Sequence, residues 1–463
     1  MSPLPDRRAV LAATARLIAE AWESFDRPRP VEPGLDAALL EHLAAPLPET
    51  GEEVEEVLRD AAGILDGSVS PARPLYVAYV GSTATSVGAM GAALAATYDV
   101  NLATHAAAAD LVERQALGWT GELIGYRHAE GAFTSGGMVS NLSALLAARE
   151  RALPGSRREG VAGRAAAVYA SAEGHHSVLR AVEVAGLGTA ALRVLPIDDD
   201  RRLVPDALEE ALERDRAAGV VPVAVVATAG TTLTGAVDPI AAVADVCERH
   251  GTWLHVDGAY GLPAAAAPSA ARLFDGLARA DSVTLDAHKW LGVPKSCSVV
   301  LVRHAGALGA AFGHRETYML GGEDRTHAVE TTLEYSRPFR SLKLWLALRA
   351  LGAAEYRSGI ERTLGHARAL VALVEADPAF ELLNRPQLST VCFRHRPAGK
   401  PAADLDAHNL LLARAMQEDG RVYLAPALVD GRTCLRACFV NFRTKAEQVA
   451  VILDVARELG ARA

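Results

Sequence analysis

Hydrophobic and polar positions follow three rhythms along this 463-residue chain. In the first stretch, residues 1–70, apolar side chains recur at helical spacing. Val10, Leu11, Leu17, Ile18 and Trp22 fall on one stripe, the mark of an amphipathic helix. Pro-rich breaks at Pro28 to Pro33 and at Pro46-Leu-Pro48 separate the helical pieces. The acidic stretch Glu49 to Glu56 predicts a solvated helix start. A helical arm this small buries little by itself, so it is expected to pack on a second copy of the chain, giving a homodimer.

The second stretch alternates. Short apolar runs at 165–170, 191–196, 222–228, 252–257, 282–286 and 297–302 predict strands. Segments 138–152, 177–186, 205–217, 238–250 and 269–280 predict helices. Such alternation predicts an α/β architecture, a mostly parallel sheet covered on both faces. Ligands then gather at the carboxyl ends of the strands. After Lys343-Leu-Trp-Leu-Ala-Leu-Arg349 the rhythm changes again. A long helix, short strands at 380–383, 390–395, 421–425 and 434–440, and a final helix predict a smaller α+β domain. The expected division is 1–70, 71–345 and 346–463.

Half of the residues are hydrophobic, enough for a large core. The net charge of −9 argues against nucleic acid as a partner. The five cysteines show no disulfide or zinc spacing, which fits reduced thiols in the cytoplasm. Arg7-Arg8 before an apolar stretch resembles a signal peptide superficially, but Arg16 and Glu20 interrupt it. No apolar run reaches the roughly 18 residues that a membrane span needs, so no membrane partner is expected.

The chemistry concentrates where predicted strands end. In Ser282-Val-Thr-Leu-Asp-Ala-His-Lys-Trp-Leu291, Lys289 follows a buried strand with His288 beside it. Lysine is rarely buried unless paired or used, and a desolvated lysine can form a Schiff base. Lys289 is either a surface residue opening a turn or the anchor of an aldehyde cofactor, with His288 facing its phosphate. Pyridoxal 5'-phosphate (PLP) carries both groups. In Trp253-Leu-His-Val-Asp-Gly-Ala-Tyr-Gly261, Asp257 ends a strand. It either caps a turn or serves as the carboxylate that a pyridine nitrogen requires. Gly258, Ala259 and Gly261 are small enough for a flat ring to approach. Ser135-Gly136-Gly137 opens a helical segment, as a plain cap or as an anion site at a helix N-terminus. In Ser171-Ala-Glu-Gly-His-His-Ser-Val178 no metal-ligand spacing accompanies the histidines, so no metal is expected. His175 can instead stack on an aromatic ring; a surface turn suits His176 better.

These four segments, in this order, resemble the group II PLP-dependent amino-acid decarboxylases, a family that includes aromatic-L-amino-acid, glutamate, cysteine-sulfinate and diaminobutyrate decarboxylases. The resemblance runs from about Pro74 to the C-terminus. It implies a large PLP-binding domain of fold type I (aspartate-aminotransferase-like), with the helical arm and the small C-terminal domain on either side. It implies that Lys289 binds PLP and Asp257 pairs with its ring nitrogen. Ala259 and His175 would lie against the two ring faces. Ser135, Gly136, Gly137 and His288 would hold the phosphate, with Thr228 of Ala227-Thr-Ala-Gly-Thr-Thr232 near the cofactor. The expected reaction converts an L-amino acid, aromatic or of specialised metabolism, to carbon dioxide and an amine. The resemblance assigns the final protonation to a loop tyrosine, which Tyr318 matches within Gly313 to His327. Arg340 is expected to be structural or ion-pairing.

Two departures fall where the substrate side chain should rest. Arg73 replaces a family histidine ahead of Pro74, and His105-Ala-Ala-Ala-Ala-Asp110 lacks a family proline. Some relatives consume oxygen on this scaffold and form aldehydes or amides, with the stacking histidine or the loop tyrosine replaced. His175 and Tyr318 are both retained, which favours simple decarboxylation. A lyase or aminotransferase, with Arg436 as a carboxylate clamp, is a further alternative. A non-catalytic PLP-fold protein is disfavoured because Lys289, Asp257, His175 and the Ser-Gly-Gly turn all survive.

Overall fold

Strands that are apolar on both faces need cover on both sides, and the central segment of the chain is built that way. A computed structural model of the chain describes residues 6–27, 37–314 and 328–462. The strands are β1 Glu130–Thr134, β2 Ala166–Ser171, β3 Leu192–Leu195, β4 Val221–Thr228, β5 Trp253–Asp257, β6 Ser282–Asp286 and β7 Ser298–Val302. Every residue of β5, β6 and β7 is buried. Burying one Val or Leu contributes about 1.5–3 kcal/mol, so these runs anchor the core. The order across the sheet is β1-β7-β6-β5-β4-β2-β3. Strands β3, β2, β4, β5 and β6 run parallel.

The expected mostly parallel sheet is present, with an antiparallel margin. Strand β7 pairs antiparallel with both β6 and β1. Only residues 287–297 join β6 to β7, too short a connection for a helical crossover. The sequence reading missed β1. Its Glu-Gly-Ala-Phe-Thr run has no alternation, and pairing with β7 makes it a strand. The helices Gly137–Ala152, His176–Val184, Pro205–Ala217 and Ile240–His250 fall where expected. The helix expected at 269–280 does not form. That segment makes two short 3-10 turns, Ala271–Phe274 and Leu277–Arg279. Gly276 between them has φ 91°, and a Cβ there would lie 2.5 Å from Ala241 Cα. The close approach of this loop to the helix Ile240–His250 replaces regular helix.

The chain divides into two compact units. One comprises Met1–Thr83, Ala369–Leu383 and Cys392–Ala463; the other comprises Ala84–Arg368 and Asn384–Val391. The large sheet belongs to the second. In the first unit the helix Arg7–Ser24 is capped by Asp6, whose side chain accepts from Arg8 N. Arg16 ties it to Glu55 of the helix Val54–Asp66. The Pro28 to Pro33 break lies outside the described residues. Leu11 and Leu65 are 69% and 70% exposed, so this arm leaves apolar side chains uncovered within its own chain. Among the described residues no helix is long and apolar enough to cross a membrane.

The C-terminal strands are β8 Phe380–Leu382, β9 Thr390–His395, β10 Ala425–Val429 and β11 Arg432–Cys438, in the order β10-β11-β9-β8. The strand expected at 421–425 begins at Ala425 instead. Asp430 and Gly431, at φ 49° and 73°, form a two-residue turn that pairs Val429 with Arg432. Such Asp-Gly turns fix hairpin register. At the end of β9, His395 is buried. Its Nδ1 lies 2.9 Å from His408 Nε2, and Lys400 Nζ lies 3.0 Å from His408 Nδ1.

Burial pushes His395 from 6.5 down to about 4, aided by His408, Arg457 and Lys400 and opposed by Asp377. Below pH 6.5 the unfolded chain gains a proton that the folded chain refuses. This contribution to stability is complete above 6.5 and is lost as pH falls through about 4. It amounts to roughly 2–3 kcal/mol. Urea unfolding at a series of pH values should show the loss, and His395→Gln should flatten that slope. An unchanged slope would refute the assignment.

Candidate active site

Three neighbouring parallel strands deliver polar residues to the same edge of the sheet. Thr228 ends β4, Asp257 ends β5 and Asp286 ends β6, with Lys289 three residues beyond. Gly137 starts the helix that follows β1, and His175 caps the helix that follows β2. Gly137, His175, Thr228, Asp257, Ala259 and Lys289 all line one cavity of about 110 Å³. Ser135 and Gly136 form the turn just before Gly137. A Cβ on Gly137 would lie 3.0 Å from both Ala259 Cβ and Asp286 Oδ2, so glycine lets the helix start approach both strand ends.

Lys289 Nζ lies 3.0 Å from Asp286 Oδ2. Asp257 Oδ1 accepts from Ala259 N at 3.1 Å, and its Oδ2 accepts from Asn141 Nδ2 at 2.8 Å. His175 is exposed, with Nδ1 held 2.8 Å from Ser177 Oγ. His288 Nδ1 lies 2.8 Å from the Cys297 carbonyl, and its Nε2 lies 3.7 Å from Asp286 Oδ2. Burial lowers the His288 pKa. Thr228 N donates to Asp238 Oδ2 at 2.7 Å. Burial pushes Asp238 up to about 6 although it accepts from two backbone amides, of Leu203 and Thr228.

Among the described residues, two buried side-chain atoms lining this cavity have no hydrogen-bond partner: Thr228 Oγ1 and Asp286 Oδ1. Both are therefore open to a polar group bound there. The residues fit PLP. An amine, a carboxylate pinned by two donors, a glycine-lined helix start and an unpartnered hydroxyl meet one aldehyde, one ring nitrogen, one phosphate and further polar ring substituents.

Other expectations resolve differently. Tyr318 and most of the Gly313 to His327 loop lie outside the described residues. Arg340 makes a two-point ion pair with Glu334, at 2.6 and 2.8 Å, as its expected structural role requires. Arg436 is buried and donates to the Tyr79 carbonyl at 2.7 Å, so one arm of the suggested clamp is engaged with backbone. Arg73 donates to the Arg27 carbonyl at 2.9 Å. His105 Nδ1 faces Asp110 Oδ2 at 3.3 Å.

Sequence reasoning passed over Asn141, Ser177 and His255. One signal was available, for His255. Residues 255 and 257 are two apart on one strand and share a face. Asn141 lies one helical turn beyond Gly137, and only the packing of that helix over the sheet brings it to Asp257. His255 is fully buried, and burial pushes it down to about 4 against the pull of Asp257.

Comparison with known proteins points to the same cofactor. The family model of the pyridoxal-dependent decarboxylase conserved domain matches residues 37–396. An aromatic-L-amino-acid decarboxylase of Bacillus atrophaeus is 31% identical over 435 residues, covering 92% of this chain and 89% of that protein. A phenylacetaldehyde synthase of Arabidopsis thaliana is 30% identical over 452 residues, covering 94% of this chain and 91% of that protein. The crystal structure of Oryza sativa TDC with PLP and tryptamine matches with a TM-score of 0.93 at 29% identity, covering 100% of this chain and 99% of that one. With most of its length inside the family model and its fold shared end to end with a PLP-bound relative, this fold type I chain belongs to the pyridoxal-dependent decarboxylases, which use PLP to take a carboxyl group from an amino acid.

Proposed function

We propose that this decarboxylase acts on an aromatic L-amino acid and releases the amine, using the residues gathered at the ends of β4, β5 and β6. The observation that carries the reading is the single cavity shared by Lys289, Asp257, His175 and Gly137. The aromatic class is supported by the Bacillus atrophaeus decarboxylase and by the rice structure with tryptamine.

When bound, PLP supplies an aldehyde for the amine and a ring that takes up the electron pair left by the departing carboxyl. Lys289 Nζ is the amine that holds that aldehyde. Asp257, oriented by Asn141 and Ala259 N, holds a proton at the ring nitrogen. Ala259 and His175 would bound the ring faces. Ser135, Gly136, Gly137 and His288 would hold the phosphate, and the Thr228 hydroxyl would reach the cofactor. Loss of carbon dioxide breaks the bond from Cα to the carboxyl and leaves its electron pair behind, and a proton must then be delivered to Cα. The sequence nominates Tyr318 as the donor. The exposed apolar side chains of the N-terminal arm support a homodimer, and the absence of disulfide spacing supports a cytoplasmic location.

One observation favours a second reading, aldehyde formation with oxygen: the similarity to a phenylacetaldehyde synthase. The retained His175 and Tyr318 favour the amine.

Borohydride reduction should fix the cofactor covalently to the Lys289 peptide, and Lys289→Ala should purify without that label. The same label in Lys289→Ala would refute the assignment. Following carbon dioxide, oxygen and amine together decides between the two reactions. We expect one amine per carbon dioxide and no oxygen uptake in wild type. Tyr318→Phe should cut amine formation by about two to four orders of magnitude and raise oxygen uptake. Stoichiometric oxygen use by wild type would establish the second reading. Sedimentation should give a dimer; a stable, fully loaded monomer would count against the proposed interface.

A further inference from the structure

We propose that Asn141 is a positioning residue that ties Asp257 and His175 into one unit, and that His255 fixes the direction of its amide. The inference rests on the reading that Asp257 holds the proton at the cofactor ring nitrogen.

One end of the hydrogen-bonded chain is a group that can only donate. Trp253 Nε1 donates to Ser282 Oγ at 2.8 Å. The Ser282 hydroxyl, 2.8 Å from His255 Nδ1, donates to it, because the Asp257 carboxylate at the other end of the chain can only accept and so sets the sense of every bond between them. An Nδ1 that accepts leaves the ring hydrogen on Nε2. His255 Nε2 donates to Asn141 Oδ1 at 3.0 Å. With its oxygen engaged, the amide aims both Nδ2 hydrogens the other way. One goes to Asp257 Oδ2 at 2.8 Å and the other to Ser177 Oγ at 3.0 Å. Ser177 then donates through its hydroxyl to His175 Nδ1 at 2.8 Å, and through its backbone N at 3.1 Å. His175 is left with its hydrogen on Nε2.

The opposite orientation fails at a specific place. A flipped Asn141 amide would set its oxygen against the Asp257 carboxylate, acceptor against acceptor. It would also need His255 in the other tautomer, and Ser282 would lose its acceptor. Trp253 has no acceptor to offer in return, so the chain runs one way only.

Burial makes the arrangement stringent. Asn141, His255, Ser282 and Trp253 are all buried, and in low dielectric a satisfied polar chain is rigid while a broken one is costly. Burial also keeps His255 neutral, at about 4, as the singly protonated ring requires. One asparagine therefore sets the partner of the ring nitrogen and the imidazole at the ring face together, from a helix whose first residue lines the same cavity.

The test uses holoenzyme loaded with PLP carrying 15N at the ring nitrogen. Its 15N chemical shift at neutral pH reports protonation there, which a merely structural role would leave alone. Asn141→Ala should move that shift toward the unprotonated position and raise the cofactor Kd roughly 10- to 100-fold. His255→Phe should move both the same way by less. Adding it to Asn141→Ala should change little further, because both act through one amide. Asp257→Ala should give the full shift. If Asp257→Ala moves the resonance and Asn141→Ala does not, the inference falls while the reading of Asp257 stands. If Asp257→Ala leaves the resonance in place, that reading falls instead. Should Asn141→Ala not fold, Ser282→Ala and His255→Phe carry the decision: the same shift in both supports the inference, and no shift in either overturns it.

Discussion

A carboxylate taken into the interior must be given hydrogen-bond donors, and the placing of Asp257 depends on how those donors are supplied. Its own turn gives one, the amide of Ala259. The other comes from Asn141, on a helix far away in sequence. That helix can reach the end of β5 only because it lies directly over the sheet. The sheet, in turn, is covered there only because β5 and β6 are buried along their whole length. Core packing and the chemistry of the cavity are thus one constraint seen at two scales.

Glycine makes the approach possible at the point of closest contact. At Gly137 three segments converge within the reach of a single missing methyl group. A larger residue would push the helix start away from Asp286 and Ala259. It would also move Asn141, one turn along the same helix, so the Ser-Gly-Gly turn and the carboxylate's donor are mechanically linked. On the far side, Asp238 braces Thr228 through its backbone N, leaving the Thr228 hydroxyl free for the cavity. Structural groups behind the strand ends hold the functional groups in front of them.

Much of this was legible in the sequence because it is local. Lys289, Asp257 and Thr228 each end a short apolar run, and strand ends in parallel sheets gather ligands. The Ser-Gly-Gly turn and His175 are local in the same sense. What escaped depends on pieces distant in sequence. Nothing near Asn141 says that it will face Asp257; only the packing of the helix over β5 does. His255 was within reach, two residues from Asp257 on the same face, but alternation cannot separate a buried histidine that orients a neighbour from one that fills space. The fold errors have the same origin. Residues 269–280 have helical composition, and contact of Gly276 with Ala241 overrides it. The Asp430-Gly431 turn was readable from its dipeptide and sets the register of β10 and β11, whereas the direction of β7 follows from the shortness of the chain before it.

The unpartnered atoms tie the cavity to the stability of the fold. A chain selected only for stability would satisfy Thr228 Oγ1 and Asp286 Oδ1, since each buried orphan weakens the fold. Both belong to residues of the same cavity, and they differ in kind. Asp286 Oδ1 can only accept, while the Thr228 hydroxyl can also donate. Oδ2 of the same Asp286 already faces Lys289, so the carboxylate has one oxygen for the lysine and one for whatever enters. An incoming group that supplies a donor to Asp286 and a partner to Thr228 therefore stabilises the protein as it binds. Binding in this cavity and fold stability are coupled through these two atoms, while Asp257 and His175 are held in place by bonds that the protein makes to itself.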